Sequence, residues 1–213
     1  SQVMNALLSA LKNGKKVIVV FELLARFDEE NNLYWSNILD ELGAQVIFGV
    51  PGFKVHSKIM LITRKSAKKE QHVAYIGTGN FHEGTAKVYE DFGLLTSNSK
   101  ITSEVIKMFR FFENNIDRGI FRTLIVSPFN SRRKLVALIE DEIKKAKAGE
   151  EAEIFLKLNN LVDSKMVEKL YDASNAGVKI RILNRGMCAL VPGIKGQSEH
   201  IEIRSIVGRY LEH

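Results

Sequence analysis

Hydrophobic residues along the chain recur with two different periods, one typical of helices and one typical of strands. Residues 3–11 carry apolar side chains at helical spacing, and Asn13-Gly14 ends this predicted helix. A β-branched run at 16–25 follows and predicts a buried strand. The alternation continues with predicted helices at 28–44 and 101–115 and with predicted strands at 44–50, 51–61, 72–80 and 92–96.

The second half of the chain repeats this order. Helices are predicted at 134–150 and 163–177, and strands are predicted at 151–161, 178–186 and within 198–213. Each half has an aspartate in the polar turn before its second helix (Asp28 and Asp163) and a glycine after that helix (Gly43 and Gly177). An internal repeat with a period of roughly 135 residues indicates a duplicated α/β domain rather than a solenoid.

We predict an α/β fold in which each domain has a mixed sheet flanked by helices. The predicted domains cover residues 1–122 and 123–213. In the first half, strands continue past the point that corresponds to the end of the chain. The second repeat is therefore expected to be incomplete, stopping after His213.

Charge and cysteine content narrow the functional classes. The 213 residues include 31 Lys and Arg against 25 Asp and Glu, which gives a formal net charge of +6. This excess permits an anionic partner such as a nucleotide, a polyphosphate, a phospholipid or nucleic acid, although an ordinary solvated surface is the simpler explanation. The single cysteine, Cys188, excludes an internal disulfide and suits a reducing compartment, and no apolar run is long enough to span a membrane.

A histidine and a lysine interrupt the apolar run at 51–61. His56 and Lys58 are two residues apart, so on a strand they would project from the same face. A neutral imidazole can attack phosphorus, and a neighbouring ammonium can stabilise charge on phosphoryl oxygens. The pair is therefore a candidate phosphate site. The ordinary alternative is a buried histidine bonded to a backbone carbonyl beside a lysine at a strand edge.

Two later segments favour the phosphate interpretation. Residues 77–80, Gly-Thr-Gly-Asn, follow an apolar strand, and such a turn offers backbone N–H groups, the Thr78 hydroxyl and the Asn80 amide to an anion. The acidic pair Glu90-Asp91 then precedes another apolar strand. The order of His-x-Lys, Gly-Thr-Gly-Asn and an acid is more specific than any one of its parts.

With this order of motifs the chain resembles the phospholipase D superfamily, whose duplicated half-domains carry His-x-Lys and a nearby Gly-Ser/Thr-x-Asn stretch. One position departs from the pattern, because Thr63 stands where the superfamily has an aspartate. The longer segments 25–65, 75–96, 156–190 and 203–213 resemble the bacterial polyphosphate kinases of the large, phospholipase-D-like type. The resemblance covers the C-terminal catalytic part of that family and implies duplicated phospholipase-D-like α/β domains.

The resemblance also implies a reaction and the residues that perform it. In this family a histidine takes the terminal phosphate of ATP and passes it to a growing polyphosphate chain. The motif match makes His56 that phosphohistidine, and Lys58 would neutralise the phosphoryl oxygens. His213 matches the histidine of the second half, which is associated with ATP and could act as acid or base at the leaving oxygen.

Further residues match the family's binding positions. Tyr89 matches a tyrosine that contacts the nucleotide, and Arg185 matches an arginine on the ATP phosphates. Arg26 matches an arginine at the Mg²⁺-phosphate cluster. Because a protonated guanidinium has no free lone pair to give to a metal, Arg26 would bind the phosphates that Mg²⁺ holds rather than ligate the ion. Thr78 and Asn80 would belong to the phosphate-binding turn.

The implied partners are ATP or ADP and inorganic polyphosphate, with Mg²⁺ as cofactor and no nucleic acid. The family implies a cytoplasmic protein, with peripheral membrane association as a second location, and a homo-oligomeric full-length enzyme. Because the matched part lacks the family's N-terminal domains and its final strands, we expect this segment alone to be inactive or nearly so. Two other functions stay open, a phospholipase-D-like phosphodiesterase or nuclease and a non-catalytic polyanion-binding module.

Overall fold

The computed structural model describes residues 1–22, 29–67, 69–206 and 208–211. The chain forms two compact units. Unit 1 contains Ser1–Ala86 and Asp91–Leu124, and unit 2 contains Lys87–Glu90 and Ile125–His213. The short segment Lys87–Glu90 thus belongs to unit 2, although the residues before and after it belong to unit 1. No helix within the described ranges is long and apolar enough to cross a lipid bilayer.

Unit 1 begins with a helix–strand–helix–strand segment. Its elements are α1 (Gln2–Lys12), β1 (Ile18–Phe21), α2 (Glu29–Glu41) and β2 (Gln45–Phe48). β1 and β2 pair in parallel, with Ile18 opposite Gln45, and α2 lies in the crossover that a parallel pair requires. Apolar side chains of these elements bury one another in a small core around Val17, Phe21 and Leu39.

An antiparallel sheet forms the rest of unit 1. Its strands are β3 (Lys58–Lys65), β4 (Glu70–Gly77) and β5 (Gly93–Thr96), and the helix α3 (Ser99–Glu113) follows them. The β3–β4 hairpin is closed by a hydrogen bond from the Ser66 N–H to the Lys69 carbonyl. Asn98 caps the start of α3, because its side chain accepts the Lys100 N–H.

Unit 2 repeats the helix–strand–helix–strand order and adds one strand. Its elements are α4 (Ser131–Lys147), β6 (Glu153–Leu158), α5 (Ser164–Asn175), β7 (Lys179–Asn184) and β8 (Ile201–Arg204). The three strands form a parallel sheet with β7 in the centre. Leu170, Ile180 and Ile182 are almost completely buried between this sheet and the helices.

The predicted α/β fold and its repeated order are confirmed. In both units a helix connects two parallel strands, β1 to β2 and β6 to β7. In both units the glycine after that helix, Gly43 or Gly177, has a positive φ, which ends a helix at little cost. The antiparallel strands of unit 1 form a sheet of their own.

The prediction of a single strand at 51–61 was wrong. His56 does not share a strand face with Lys58, because β3 begins only at Lys58. A turn at residues 50–53, in which Gly52 has a φ of +78°, interrupts the apolar run. His56 is exposed in the segment that leads from this turn to β3.

A buried carboxylate fixes the chain that follows α3. Glu104 is 4% exposed, and its two carboxylate oxygens accept the backbone N–H groups of residues 122–124 at 2.7 to 3.1 Å. Burial raises the pKa of Glu104. The three N–H groups and the nearby Lys107 lower it by more in sum, so that the pKa lies below its ordinary value.

The substitution Glu104→Gln should lower the free energy of unfolding at neutral pH by about 1–3 kcal/mol, because three N–H groups lose a charged acceptor. The carboxylate's contribution is present above the ordinary pKa of glutamate and is lost as the pH falls through the lower pKa of the folded state. Denaturant unfolding across the acid range should therefore depend less on pH in this variant. Glu113→Gln, at the exposed end of α3, is the control, and equal losses in both variants would contradict the prediction.

Candidate functional site

Three strand ends lie side by side at one edge of the antiparallel sheet, and they place Lys58 next to the turn that carries Thr78. Lys58, the first residue of β3, pairs with Gly77, the last residue of β4, and Gly77 pairs with Gly93, the first residue of β5. We call these three residues the strand-end row. The ring of Tyr75 lies across both glycines, since a Cβ on either of them would overlap it. Glycine is therefore required at both positions for this packing.

Lys58 links the strand-end row to His56. Its ammonium donates to the carbonyl oxygen of His56 at 2.7 Å, so the two residues stay together although His56 is not on the strand. Burial lowers the pKa of Lys58 below its ordinary value, the Asp91 charge opposes this, and Lys54 adds to it. Lys58 is therefore a half-buried cation whose charge is costly to keep.

The turn after β4 is held by the residues before β5. The Thr78 N–H donates to the Phe92 carbonyl at 3.0 Å, and the Phe92 N–H donates to the Thr78 hydroxyl at 2.9 Å. The hydroxyl itself donates to Asp91 Oδ1 at 3.1 Å. The Asp91 carboxylate also lies so close to Gly79 that a Cβ there would overlap it. Asn80 is exposed directly after this turn.

In unit 2, Tyr89 and Arg185 lie together. Arg185 follows β7 at the carboxyl end of the parallel sheet, and its guanidinium carbon lies 6.0 Å from the centroid of the Tyr89 ring. The Tyr89 backbone is paired with Leu211. The Glu90 N–H donates to the Leu211 carbonyl at 3.1 Å, and the Leu211 N–H donates to the Val88 carbonyl at 2.8 Å. Because ligands of α/β sheets bind at the carboxyl ends of strands, this is the second candidate site.

Two buried polar atoms at the end of β7, Nε of Arg185 and Oδ1 of Asn184, have no hydrogen-bond partner among the described residues. The amide nitrogen of Asn184 is used, because it donates to the carbonyls of Gly186 at 2.8 Å and Met187 at 3.4 Å. A buried donor or acceptor without a partner is costly, so such atoms indicate a place for a ligand or a bound water.

A pair of asparagines that the sequence analysis did not single out holds the Arg185 turn. The Gly186 N–H donates to the Asn159 carbonyl at 2.6 Å, and the Met187 N–H donates to Asn160 Oδ1 at 2.8 Å. A Cβ on Gly186 would overlap the Asn160 side chain. The available signal was the Asn-Asn pair after an apolar strand, since asparagine side chains commonly bond to backbone groups in turns.

Two residues of the predicted site are not among those that the structure describes. Arg26 and His213 lie outside the described residues. Among the residues that the structure does describe, no group of three or more His, Cys, Asp or Glu side chains could hold a metal ion. Mg²⁺ keeps several waters and often binds through substrate phosphates, so an ion that enters with a nucleotide needs no such group.

The fold and these sites define an α/β protein of two repeated units, each with a cationic side chain at its strand ends that suits an anionic ligand. The family model for polyphosphate kinase C-terminal domain 1 matches residues 1–118, and the model for polyphosphate kinase C-terminal domain 2 matches residues 124–213. The chain belongs to the polyphosphate kinase family.

Individual relatives agree with this result. The polyphosphate kinase of Vibrio cholerae serotype O1 is 55% identical over 213 residues, and that of Escherichia coli K12 is 49% identical over the same length. The chain spans 30% of the first relative and 31% of the second. The crystal structure of polyphosphate kinase from Porphyromonas gingivalis matches all of this chain with a TM-score of 0.86 and 38% identity, and the match covers 35% of that structure.

The substitution Asn160→Ala should loosen the turn that carries Arg185, because the Met187 N–H loses its acceptor. A lost hydrogen bond of about 1 kcal/mol corresponds to roughly fivefold faster hydrogen exchange at the Met187 amide. Amides within β7 should keep their protection. Asn175→Ala, at the exposed end of α5, is the control. Unchanged exchange at Met187 in Asn160→Ala would show that Asn160 does not hold the turn.

Proposed function

We propose that the chain is the catalytic part of an ATP:polyphosphate phosphotransferase in which His56 carries the phosphoryl group. The observation that carries the proposal is the position of His56, exposed and tied through its carbonyl to the Lys58 ammonium, in a chain of this family. A ring nitrogen of His56 would bond to the γ-phosphorus of ATP while the bond to the bridging oxygen breaks and ADP leaves. A terminal polyphosphate oxygen would then bond to the phosphorus as the P–N bond breaks, and the reverse steps would regenerate ATP.

Lys58 would neutralise the phosphoryl oxygens during both steps. Phosphoryl transfer depends mainly on positioning and on charge stabilisation, and water screens a half-buried ammonium less than a fully exposed one. Thr78 and Asn80 would contribute hydrogen bonds from the turn that follows the strand-end row. This edge of unit 1 would therefore hold the phosphoryl group that His56 receives.

ATP would bind at the carboxyl end of the unit 2 sheet through Tyr89, Arg185 and His213. The support is the contact between the Tyr89 ring and the Arg185 guanidinium, together with the unpartnered Nε of Arg185. An anionic phosphate oxygen would satisfy that donor with a charge-assisted hydrogen bond. His213 would act as acid or base at the oxygen that leaves.

Mg²⁺ would enter with the nucleotide and neutralise phosphate charge. Arg26 would clamp the phosphates that the ion holds, since a guanidinium matches phosphate geometry and cannot ligate a metal.

The phosphodiesterase alternative is less well supported. The aspartate of the phospholipase D motif is replaced by Thr63, whose hydroxyl lies 3.0 Å from Nδ1 of His72 in the β3–β4 ladder. That position therefore carries a hydroxyl paired with a cross-strand histidine and supplies no carboxylate to the His-x-Lys motif.

Replacing His56 with alanine should abolish covalent labelling by ATP that carries a radioactive γ-phosphate, measured in a protein that joins this chain to the flanking regions of its relatives. The label on the parent protein should be stable in base and lost in acid, as a P–N bond requires. His200→Ala, an exposed histidine of unit 2, should label normally. Labelling that survives His56→Ala would overturn the assignment, and salt-sensitive polyphosphate binding without any labelling would favour the binding-module alternative.

The Lys58→Ala substitution should weaken tripolyphosphate binding to the chain on the order of tenfold, because one nearby positive charge is lost. Burial lowers the pKa of Lys58, and the ammonium charge is present below that pKa and lost above it. As the pH is raised, the difference in tripolyphosphate affinity between the parent chain and Lys58→Ala should therefore disappear before the ordinary pKa of lysine is reached. Lys54→Ala, a nearby exposed lysine, is the control in calorimetric titrations, and equal losses would indicate a diffuse positive surface.

A further inference from the structure

The turn between β4 and β5 already holds an anion, and that anion is a side chain of the protein. Asp91 Oδ1 accepts the Thr78 hydroxyl proton at 3.1 Å, and the carboxylate fills the space beside Gly79 that a side chain would otherwise need. These are two of the features, a hydroxyl donor and a glycine that permits close approach, by which such a turn would take a phosphoryl group. A carboxylate and a phosphoryl group present the same kind of acceptor oxygen to these donors.

We propose that the Asp91 carboxylate is an internal ligand of the Thr78–Gly79 turn, which a phosphoryl group of polyphosphate has to displace before it can bind there. The inference rests on the proposed function, because it takes this turn as part of the phosphate site. A hydroxyl has one proton, so Thr78 cannot donate to Asp91 and to a phosphoryl oxygen at the same time.

The backbone of the turn does not depend on the Asp91 side chain. The Thr78 N–H and the Phe92 carbonyl form one hydrogen bond, and the Phe92 N–H and the Thr78 hydroxyl form another. Both bonds remain when the carboxylate leaves, because the hydroxyl accepts from Phe92 through its oxygen and only its proton changes partner. Displacement therefore requires a rotation of the Asp91 side chain and leaves the strand pairing of β4 with β5 in place.

The negative charge of Asp91 should weaken the binding of an anion at this turn. Asp91 lies near enough to Lys58 to oppose the loss of its positive charge, so the two charges partly balance each other. An arriving polyanion meets a carboxylate at the turn, and like charges a few ångströms apart repel each other by about 1 kcal/mol even where water screens them. Asp91 would therefore weaken anion binding at this turn, although it lies within the motif that indicates a phosphate site.

The test compares tripolyphosphate binding to the chain, followed by calorimetry and by the amide signals of Gly79 and Asn80. Asp91→Asn keeps the size of the side chain and its acceptor oxygen but removes the charge, and it should tighten binding on the order of tenfold. Glu90→Gln is the matched control, because it removes the same charge from the adjacent exposed residue, and it should leave the affinity near that of the parent chain. Asp91→Ser, which removes both charge and reach, should also bind more tightly.

Each outcome distinguishes this inference from the proposed function. Equal or weaker binding by Asp91→Asn and Asp91→Ser, with binding that still requires Lys58, would overturn the internal-ligand inference and leave the phosphate site standing. The same gain in Glu90→Gln as in Asp91→Asn would also overturn it, because the effect would then reflect net charge. Tripolyphosphate binding that is indifferent to Lys58→Ala in every background would remove the phosphate site itself, and this inference with it.

Discussion

The pairing register of β3, β4 and β5 is the constraint on which the phosphate edge of unit 1 depends. A shift of one residue between β3 and β4 would separate Lys58 from the turn after β4, and a shift between β4 and β5 would separate that turn from Asp91 and Phe92. The ring of Tyr75 opposes a shift between β4 and β5, because a side chain in place of Gly93 would collide with it. The packing of Tyr75 therefore helps to fix the strand register that places the turn after β4 beside Asp91 and Phe92.

Unit 2 presents its cation by a different physical means. The parallel sheet brings strand ends together, and the turn that carries Arg185 after β7 is fixed by N–H groups that donate to the Asn159 carbonyl and to the Asn160 side chain. In unit 1 the N–H and the hydroxyl of Thr78 already donate to Phe92 and Asp91, whereas in unit 2 Nε of Arg185 lacks a partner among the described residues. The Thr78 donors of the first site are thus paired within the protein, whereas the second site has a donor left for an added acceptor.

Hydrophobic periodicity was sufficient to predict the helices and the repeated parallel strands, because burial of one face determines those elements. It also placed Thr78 and Arg185 next to strand ends, where short motifs follow apolar runs directly, but it placed Lys58 inside a strand at 51–61 rather than at the start of β3. It failed at His56, because a turn with Gly52 at a positive φ interrupts a run that remains apolar on both sides. The contact between Asp91 and Thr78 could not be predicted, since it depends on which strands pair rather than on local pattern.

Tyr89 and Asp91 are two residues apart in the chain, yet Tyr89 belongs to unit 2 and Asp91 to unit 1. Duplicated domains are often treated as modules that recombination can exchange between relatives. A chimera joined between the two halves would here combine the Tyr89 of one parent with the Arg185 and Leu211 of the other. An exchange that keeps the second site intact therefore has to include residues 87–90 together with the second repeat. Substitutions at 87–90 are expected to occur together with substitutions in the second half of the same chain.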